Sequence, residues 1–169
     1  MLMQQVTYPY NPWNFADFKR DDGHFYIQVN VFSSDVSFND VSFVIDTGAY
    51  ITVIDRKRAH QIGLPLTGKY TANFTGFNVD RGSDEAEIVI VPKFEIGKFI
   101  IEEVPVIVPT GDIEVPDVIG ANILEYFIYT MDHDKDRIYF AKNPNPKPYI
   151  DESKGIDLSC GRVLLQKHV

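Results

Sequence analysis

One carboxylate in this chain stands where a carboxylate is costly. In "FVIDTGAYITVI", residues 43–54, Phe43, Val44 and Ile45 lead into Asp46, and Ile51, Val53 and Ile54 follow within eight residues. Asp-Thr-Gly is good turn chemistry, and an isolated Asp at a strand end ordinarily does no more than open a turn. Here apolar runs bound the turn so closely that the carboxylate is held near the core. An ionised carboxylate in such a place is unfavourable unless another group shares or offsets its charge. Asp46 is therefore the residue from which chemistry is expected.

The other candidate side chains form no comparable constellation. His24, His60, His133 and His168 show no ligand spacing on any one element and read as surface residues. Cys160 lies in a tail, a poor setting for a nucleophile. "DHDKD" sets Asp132, Asp134 and Asp136 at alternate positions, like the start of a calcium loop. Arg137 replaces the Gly that such a loop requires, and Asn143 replaces its closing Glu. The basic run "DRKRAH" at 55–60 is short, begins with an acid and reads as the solvated face of a helix. Neither a metal site nor a cofactor is expected.

Composition narrows the function class. A chain of 169 residues fits one domain, and 44% hydrophobic with 24% charged residues is the balance of an ordinary globular protein. No apolar run approaches the roughly 20 residues that span a bilayer. The opening "MLMQQVTYPY" lacks a basic segment followed by an apolar one, so no secretory signal is expected. Cys160 is the single cysteine, which rules out an intrachain disulfide framework and fits a cytoplasmic location. The formal charge of −8 argues against nucleic acid as a partner.

Strand signals dominate the elements that must position Asp46. "HFYIQVNVF" (24–32) alternates Phe25, Ile27, Val29 and Val31 with Tyr26, Gln28 and Asn30, as a half-buried strand does. The turn-rich "SSDVSFND" separates it from "VSFVID" (41–46). "DRKRAHQIGLP" (55–65) predicts a short helix capped by Asp55 and closed by Gly63 and Pro65. Runs at 69–80 and 85–96, joined by "RGSD", predict a long hairpin with a polar tip. "FIIEEVPVIVP" (99–109) is a further strand, with Pro105 at an edge or bulge. "DVIGANILEYF" (117–127) begins as a strand and turns helical near Asn122, and "FIYTM" and "RIYFA" flank a hairpin turn. The class is mostly β with two short helices.

"IDTGAYITVI", a short helix, a long hairpin and then "VIGANIL", in that order, resemble the retropepsin-like (retroviral-type) aspartic proteases. In that family Asp-Thr-Gly carries the catalytic carboxylate, and a second motif, two hydrophobic residues and Gly, packs beside it. Val118, Ile119 and Gly120 fit the second motif, and Ile123, Leu124 and Phe127 fit the buried face of the helix after it. The resemblance spans roughly residues 24–141. It implies a closed β-barrel-like acid protease fold with a flap hairpin. It also implies a division into an N-terminal arm (1–22), the protease domain (23–141) and a Pro-rich linker with a C-terminal arm (142–169). "GRVLLQ" in that last arm either joins a dimer sheet or forms a pendant tail.

The implied activity is hydrolysis of peptide bonds by a pair of carboxylates sharing one proton. The chain has a single Asp-Thr-Gly, and neither Asp117 nor Asp132 is followed by Thr-Gly. The second carboxylate is therefore expected from Asp46 of another copy, across a two-fold axis. By the same resemblance Thr47 bonds across that axis, Gly48 permits close backbone approach and Ala49 floors the cleft. Thr75, Gly76 and Phe77 occupy the place of the flap, which closes over an extended peptide. Its tip, "NVDRGSDE", is polar where small apolar residues are common; it reads as a solvated loop, the alternative being a preference for basic or polar substrates. Retroviral members pair an acid after Asp-Thr-Gly-Ala with an Arg after the second-motif Gly; here those positions hold Tyr50 and Ala121. The expected partners are a peptide substrate and a second copy of the chain. Two other readings stay open: a non-catalytic peptide-binding module on the same fold, and an enzyme active only when fused to or recruited by a partner.

Overall fold

The computed structural model describes residues 14–34, 36–67, 71–75, 83–111, 113–152 and 155–165, with 71–75 and 83–84 as backbone. It begins in the segment that the sequence assigns to an N-terminal arm. β1 (Phe15–Asp21) lies in the main sheet, paired antiparallel with β2 (His24–Phe32) on one side and with β9 (Arg137–Lys142) on the other. Asp22 and Gly23 make the β1–β2 turn with φ of 45° and 75°, the left-handed pair that a two-residue hairpin needs. Residues 1–13 of that arm lie outside the described residues.

β2 carries the expected alternation, with Ile27, Val29 and Val31 at most 1% exposed. β3 (Ser37–Ile45) starts earlier than the polar run "SSDVSFND" predicts. Its first residues, Ser37 and Phe38, pair with Phe32 and Val31 across a register shift in β2. Asp40 takes the extra residue at φ 56°, a conformation that Asp tolerates, and its N–H donates to Asn30 Oδ1 at 3.0 Å. The turn itself shrinks to a Ser33 N–H to Val36 O bond of 2.8 Å.

Helix α1 (Arg56–Gln61) forms where predicted, and Asp55 accepts from the Lys57 and Arg58 N–H groups as its cap. β4 (Thr71–Thr75) pairs antiparallel with β5 (Ser83–Ile96), as the predicted hairpin requires. The intervening residues 76–82, including Gly76 and Phe77, lie outside the described residues. β6 (Phe99–Pro109) matches the predicted strand and runs antiparallel to β5. β7 (Val118–Ile119) and α2 (Ala121–Leu124) realise the second motif, and β8 (Phe127–Asp132) forms a hairpin with β9.

The C-terminal segment is integrated with the fold. β10 (Ile150–Asp151) and β11 (Ile156–Asp157) pair with each other, and β12 (Arg162–Leu165) pairs with the start of β6. The main sheet follows the order β12-β6-β5-β2-β1-β9-β8, with β3 branching from β2 and β4 from β5. It is a curled half-barrel sheet with two short helices. It packs on one large cluster that includes Phe43, Phe94, Ile119, Ile123 and Phe140, each no more than 2% exposed. A second cluster, around Val44, Ile51, Val53, Ile107, Val118 and Leu158, lies under the Asp-Thr-Gly loop.

Candidate active site

The Asp46 loop is built by a strand that leaves its neighbour and returns on the other side. β7 runs parallel to the end of β3, Val44 facing Val118 and Ile45 facing Ile119. The chain then rounds Asp46–Tyr50 and comes back along the opposite edge of β7, where Val53 bridges Val118 antiparallel and Ile107 in parallel. Val118, on a two-residue strand, is thus held from both sides: Val44 N–H donates to Asp117 O, and Val53 and Val118 exchange both backbone bonds, all at 2.9 Å. Apolar residues at 43–45 and at 51, 53 and 54 are required because both legs of the loop are buried; only the crossing between them reaches the surface.

Asp46 sits at that crossing, half-buried, with its N–H donating to Ile119 O at 3.2 Å. Its Oδ1 accepts from Gly48 N–H at 2.8 Å, and its carbonyl accepts from Ala49 N–H at 3.2 Å. The carboxylate is therefore oriented by its own turn, and Thr47 and Gly48 stand exposed beside it. A Cβ on Gly48 would lie 3.2 Å from Asp46 Oδ1. The loop is tied to the second motif by Ala121 N–H, which donates to Ala49 O at 2.8 Å. Gly120 is required by space: a Cβ there would come within 2.4 Å of the Ile51 carbonyl carbon.

Two residues that sequence reasoning passed over hold this arrangement. Thr52 and Asn122 are both fully buried and polar. Thr52 Oγ1 accepts from Gly120 N–H at 3.1 Å, and Asn122 Nδ2 donates to Pro105 O at 2.9 Å. Pro105, expected at an edge or bulge, pairs with Ile90 of β5, while its carbonyl serves Asn122. The available signal was a lone hydroxyl in the apolar "ITVI" and a lone amide in "ANIL".

The other acids of interest are engaged elsewhere. Asp117 is buried and accepts from Asp55 N–H at 2.8 Å and Arg58 Nε at 3.4 Å; burial pushes its carboxyl up, against the lowering effect of those two partners. Asp132 Oδ1 accepts from the Asp134 and Lys135 N–H groups of its own turn. A hollow of about 420 Å³ lies by Asp117, Lys57 and Arg58, lined by none of the Asp46 loop. A smaller one, about 220 Å³, adjoins Thr47 and is lined by Leu124, Phe127 and Tyr129.

Tyr50 and Ala121, at the positions of the family's ion pair, have different partners here. The Tyr50 ring packs on Tyr149 with centroids 4.7 Å apart, and its hydroxyl donates to Ile150 O at 3.1 Å. Burial and then the carboxylates of Asp151 and Glu152 raise its phenol above the ordinary range.

The aspartyl protease family model matches residues 28–123, from β2 to α2, and so spans both motifs. Among solved structures the chain is similar to the crystal structure of a retropepsin-like aspartic protease from Rickettsia conorii. The two are 26% identical over 75% of this chain and 87% of that chain, with a TM-score of 0.53. No curated protein matches the chain. With Asp-Thr-Gly and the second motif joined as the family joins them, the chain belongs to the aspartyl protease family, in its retropepsin-like form.

Proposed function

We propose that the protein is an aspartic endopeptidase whose active site is shared by two copies, each giving one Asp46. The observation that carries this reading is the presentation of Asp46: its carboxylate accepts from Gly48 N–H, its backbone N–H donates to Ile119 O, and the exposed Thr47 stands beside it. A single such loop supplies half of the required pair. The hollow next to Thr47 and the terminal strand β8, with Ile128 41% exposed, give a face on which a second copy would sit.

Two carboxylates brought together share one proton, because like charges so close do not both ionise. The ionised member takes a proton from water as the water oxygen attacks the scissile carbonyl carbon. The protonated member hydrogen-bonds to the carbonyl oxygen and stabilises its developing charge. Collapse of the tetrahedral species breaks the C–N bond, and the leaving nitrogen takes a proton from the pair. An extended peptide as substrate, the β4–β5 hairpin as its cover and a cytoplasmic site of action belong to the same proposal.

The test is incubation with a mixed peptide library between pH 4 and 7, comparing wild type with Asp46→Asn by mass spectrometry. Cleavage should fall by roughly a hundred- to ten-thousand-fold in the variant. Sedimentation of the active sample should give a dimer. Peptide binding without Asp46-dependent cleavage would replace this reading with that of a non-catalytic binding module.

A further inference from the structure

Resting on the peptidase reading above, we infer that residues 149–152 and 155–160 of the C-terminal segment form one wall of the substrate cleft. In this wall Tyr50, Tyr149 and Ile150 make a subsite for an apolar or aromatic side chain of the bound peptide.

The segment is fixed to the Asp46 loop from both ends. At one end Tyr149 stacks on Tyr50, and Ile150 O accepts from the Tyr50 hydroxyl. At the other, Leu158 is 3% exposed within the cluster of Val44, Ile51, Val53 and Val118, and its carbonyl accepts from Asn122 Nδ2 at 3.4 Å. Between these ends the segment closes on itself: Leu158 N–H donates to Tyr149 O at 2.7 Å, and Tyr149 N–H donates to Ser159 Oγ at 2.6 Å. Ala49 packs on the same buried cluster as Tyr149 and Ile156. A pendant tail would show none of these attachments.

The segment exposes the acids Glu152 and Asp157, and one large apolar side chain, Ile150, next to Tyr50. Tyr50 is 48% exposed and Ile150 49%, although the two are in direct contact. The Tyr50 ring is held by Tyr149 and by its hydroxyl bond, and the Ile150 backbone by that bond and by β11. A ligand meeting Tyr50 therefore costs it little side-chain freedom. An exposed aromatic face beside an aliphatic side chain is suited to an apolar or aromatic group. Position limits the reach. Tyr50 is the fourth residue after Asp46, at most about 14 Å of chain away, and the turn between them shortens it. A peptide in extended form rises about 3.3 Å per residue, so the subsite falls within about four residues of the bond cut.

The test uses the full chain with the same peptide library, read by cleavage. It is repeated by binding to Asp46→Asn protein, which retains peptide without cutting it. Wild type should prefer an aromatic or large apolar residue at one position within four of the scissile bond. Tyr149→Ala should erase that preference, raising KM roughly tenfold for peptides that carry it and changing kcat less than threefold; Tyr149→Phe should behave as wild type. Ile150→Glu, at an exposed position, should turn the preference towards Lys or Arg, which a purely structural role would not do.

Cleavage by wild type with profiles unchanged in Tyr149→Ala and Ile150→Glu would overturn the subsite and leave the peptidase intact. Aromatic-selective binding by Asp46→Asn that Tyr149→Ala abolishes, without cleavage by wild type, would overturn the peptidase and support the subsite. A Tyr149→Ala protein that sediments as a monomer where wild type is a dimer would assign the patch to subunit contact and overturn the subsite.

Discussion

Thr52 and Asn122 lie far apart in sequence and are joined twice: Thr52 N–H and Thr52 Oγ1 both donate to Asn122 Oδ1 at 2.8 Å. The Thr52 hydroxyl also accepts from Gly120 N–H, and the Asn122 amide reaches Pro105 O and Leu158 O. One amide thus fastens the Asp46 loop to β6, to the second motif and to the C-terminal segment. Only a side chain with an acceptor and a donor at its tip can do so.

Asn122→Leu keeps the branching of the side chain and removes every bond that the amide makes. Thr52 N–H and the Pro105 carbonyl would then be buried without partners, at about 1–3 kcal/mol each. The expected loss is several kcal/mol, a large share of a domain's usual stability, read as a fall in the urea midpoint at constant slope. Thr52→Val should cost less, about 1–3 kcal/mol, because mainly the Gly120 N–H is orphaned. A midpoint unmoved in Asn122→Leu would show that the network does not hold the loop.

The two glycines of the motifs separate stability from chemistry. Gly120→Ala sets a Cβ 2.4 Å from the Ile51 carbonyl carbon and 2.6 Å from its oxygen, both backbone atoms between buried legs of the loop. We expect a loss of about 3 kcal/mol or failure to fold. Gly48→Ala sets its Cβ 3.2 Å from Asp46 Oδ1, the end of a side chain that can turn away. Its unfolding midpoint should stay within about 1 kcal/mol of wild type, while Asp46-dependent cleavage falls. Equal loss of stability in both variants would contradict this division.

The parts of the fold legible in sequence were those with local signals. Alternation gave β2, a run ending at Pro109 gave β6, and Asp55 before "RKRAHQ" gave α1. The Asp46 loop was legible because apolar runs flank a turn, and the second motif because Val118–Gly120 lead into a helix. β1 was not legible: in "FADFKRD" only Phe18 is fully buried, and the strand exists because β2 and β9 flank it. The early start of β3 depends on a left-handed Asp40, which a polar run conceals. Thr52 and Asn122 carry their information in a pairing across two elements, and periodicity along one element does not register it.

Cys160 is 6% exposed, its Sγ donates to Asn122 O at 3.7 Å, and burial pushes its thiol up to about 12. At pH 8 the thiolate that reacts with alkylating reagents is then absent. Native protein should take up iodoacetamide at least about a hundredfold more slowly than a free cysteine, and 6 M urea should abolish the difference. Intact mass against time measures both. Rapid labelling of the native chain would mean that the C-terminal segment detaches readily.

Asp117 sets a pH dependence opposite to that of an ordinary paired carboxylate. Its pKa is raised, first by burial, and the Asp55 N–H and the Arg58 guanidinium only partly offset this. The folded state therefore binds the Asp117 proton more tightly than the unfolded chain does. Its contribution to stability is largest below the ordinary value of 3.8 and declines as pH rises through the raised value. Asp117→Asn keeps an acceptor for Asp55 N–H, loses the 3.4 Å contact of opposite charge with the 38%-exposed Arg58 side chain, and removes the titration. Compared with wild type, the variant should gain stability as pH rises above the ordinary value of 3.8, seen as urea midpoints that draw together or cross. A variant that loses ground over that range would show that the attraction of Arg58 outweighs the cost of burying the charge.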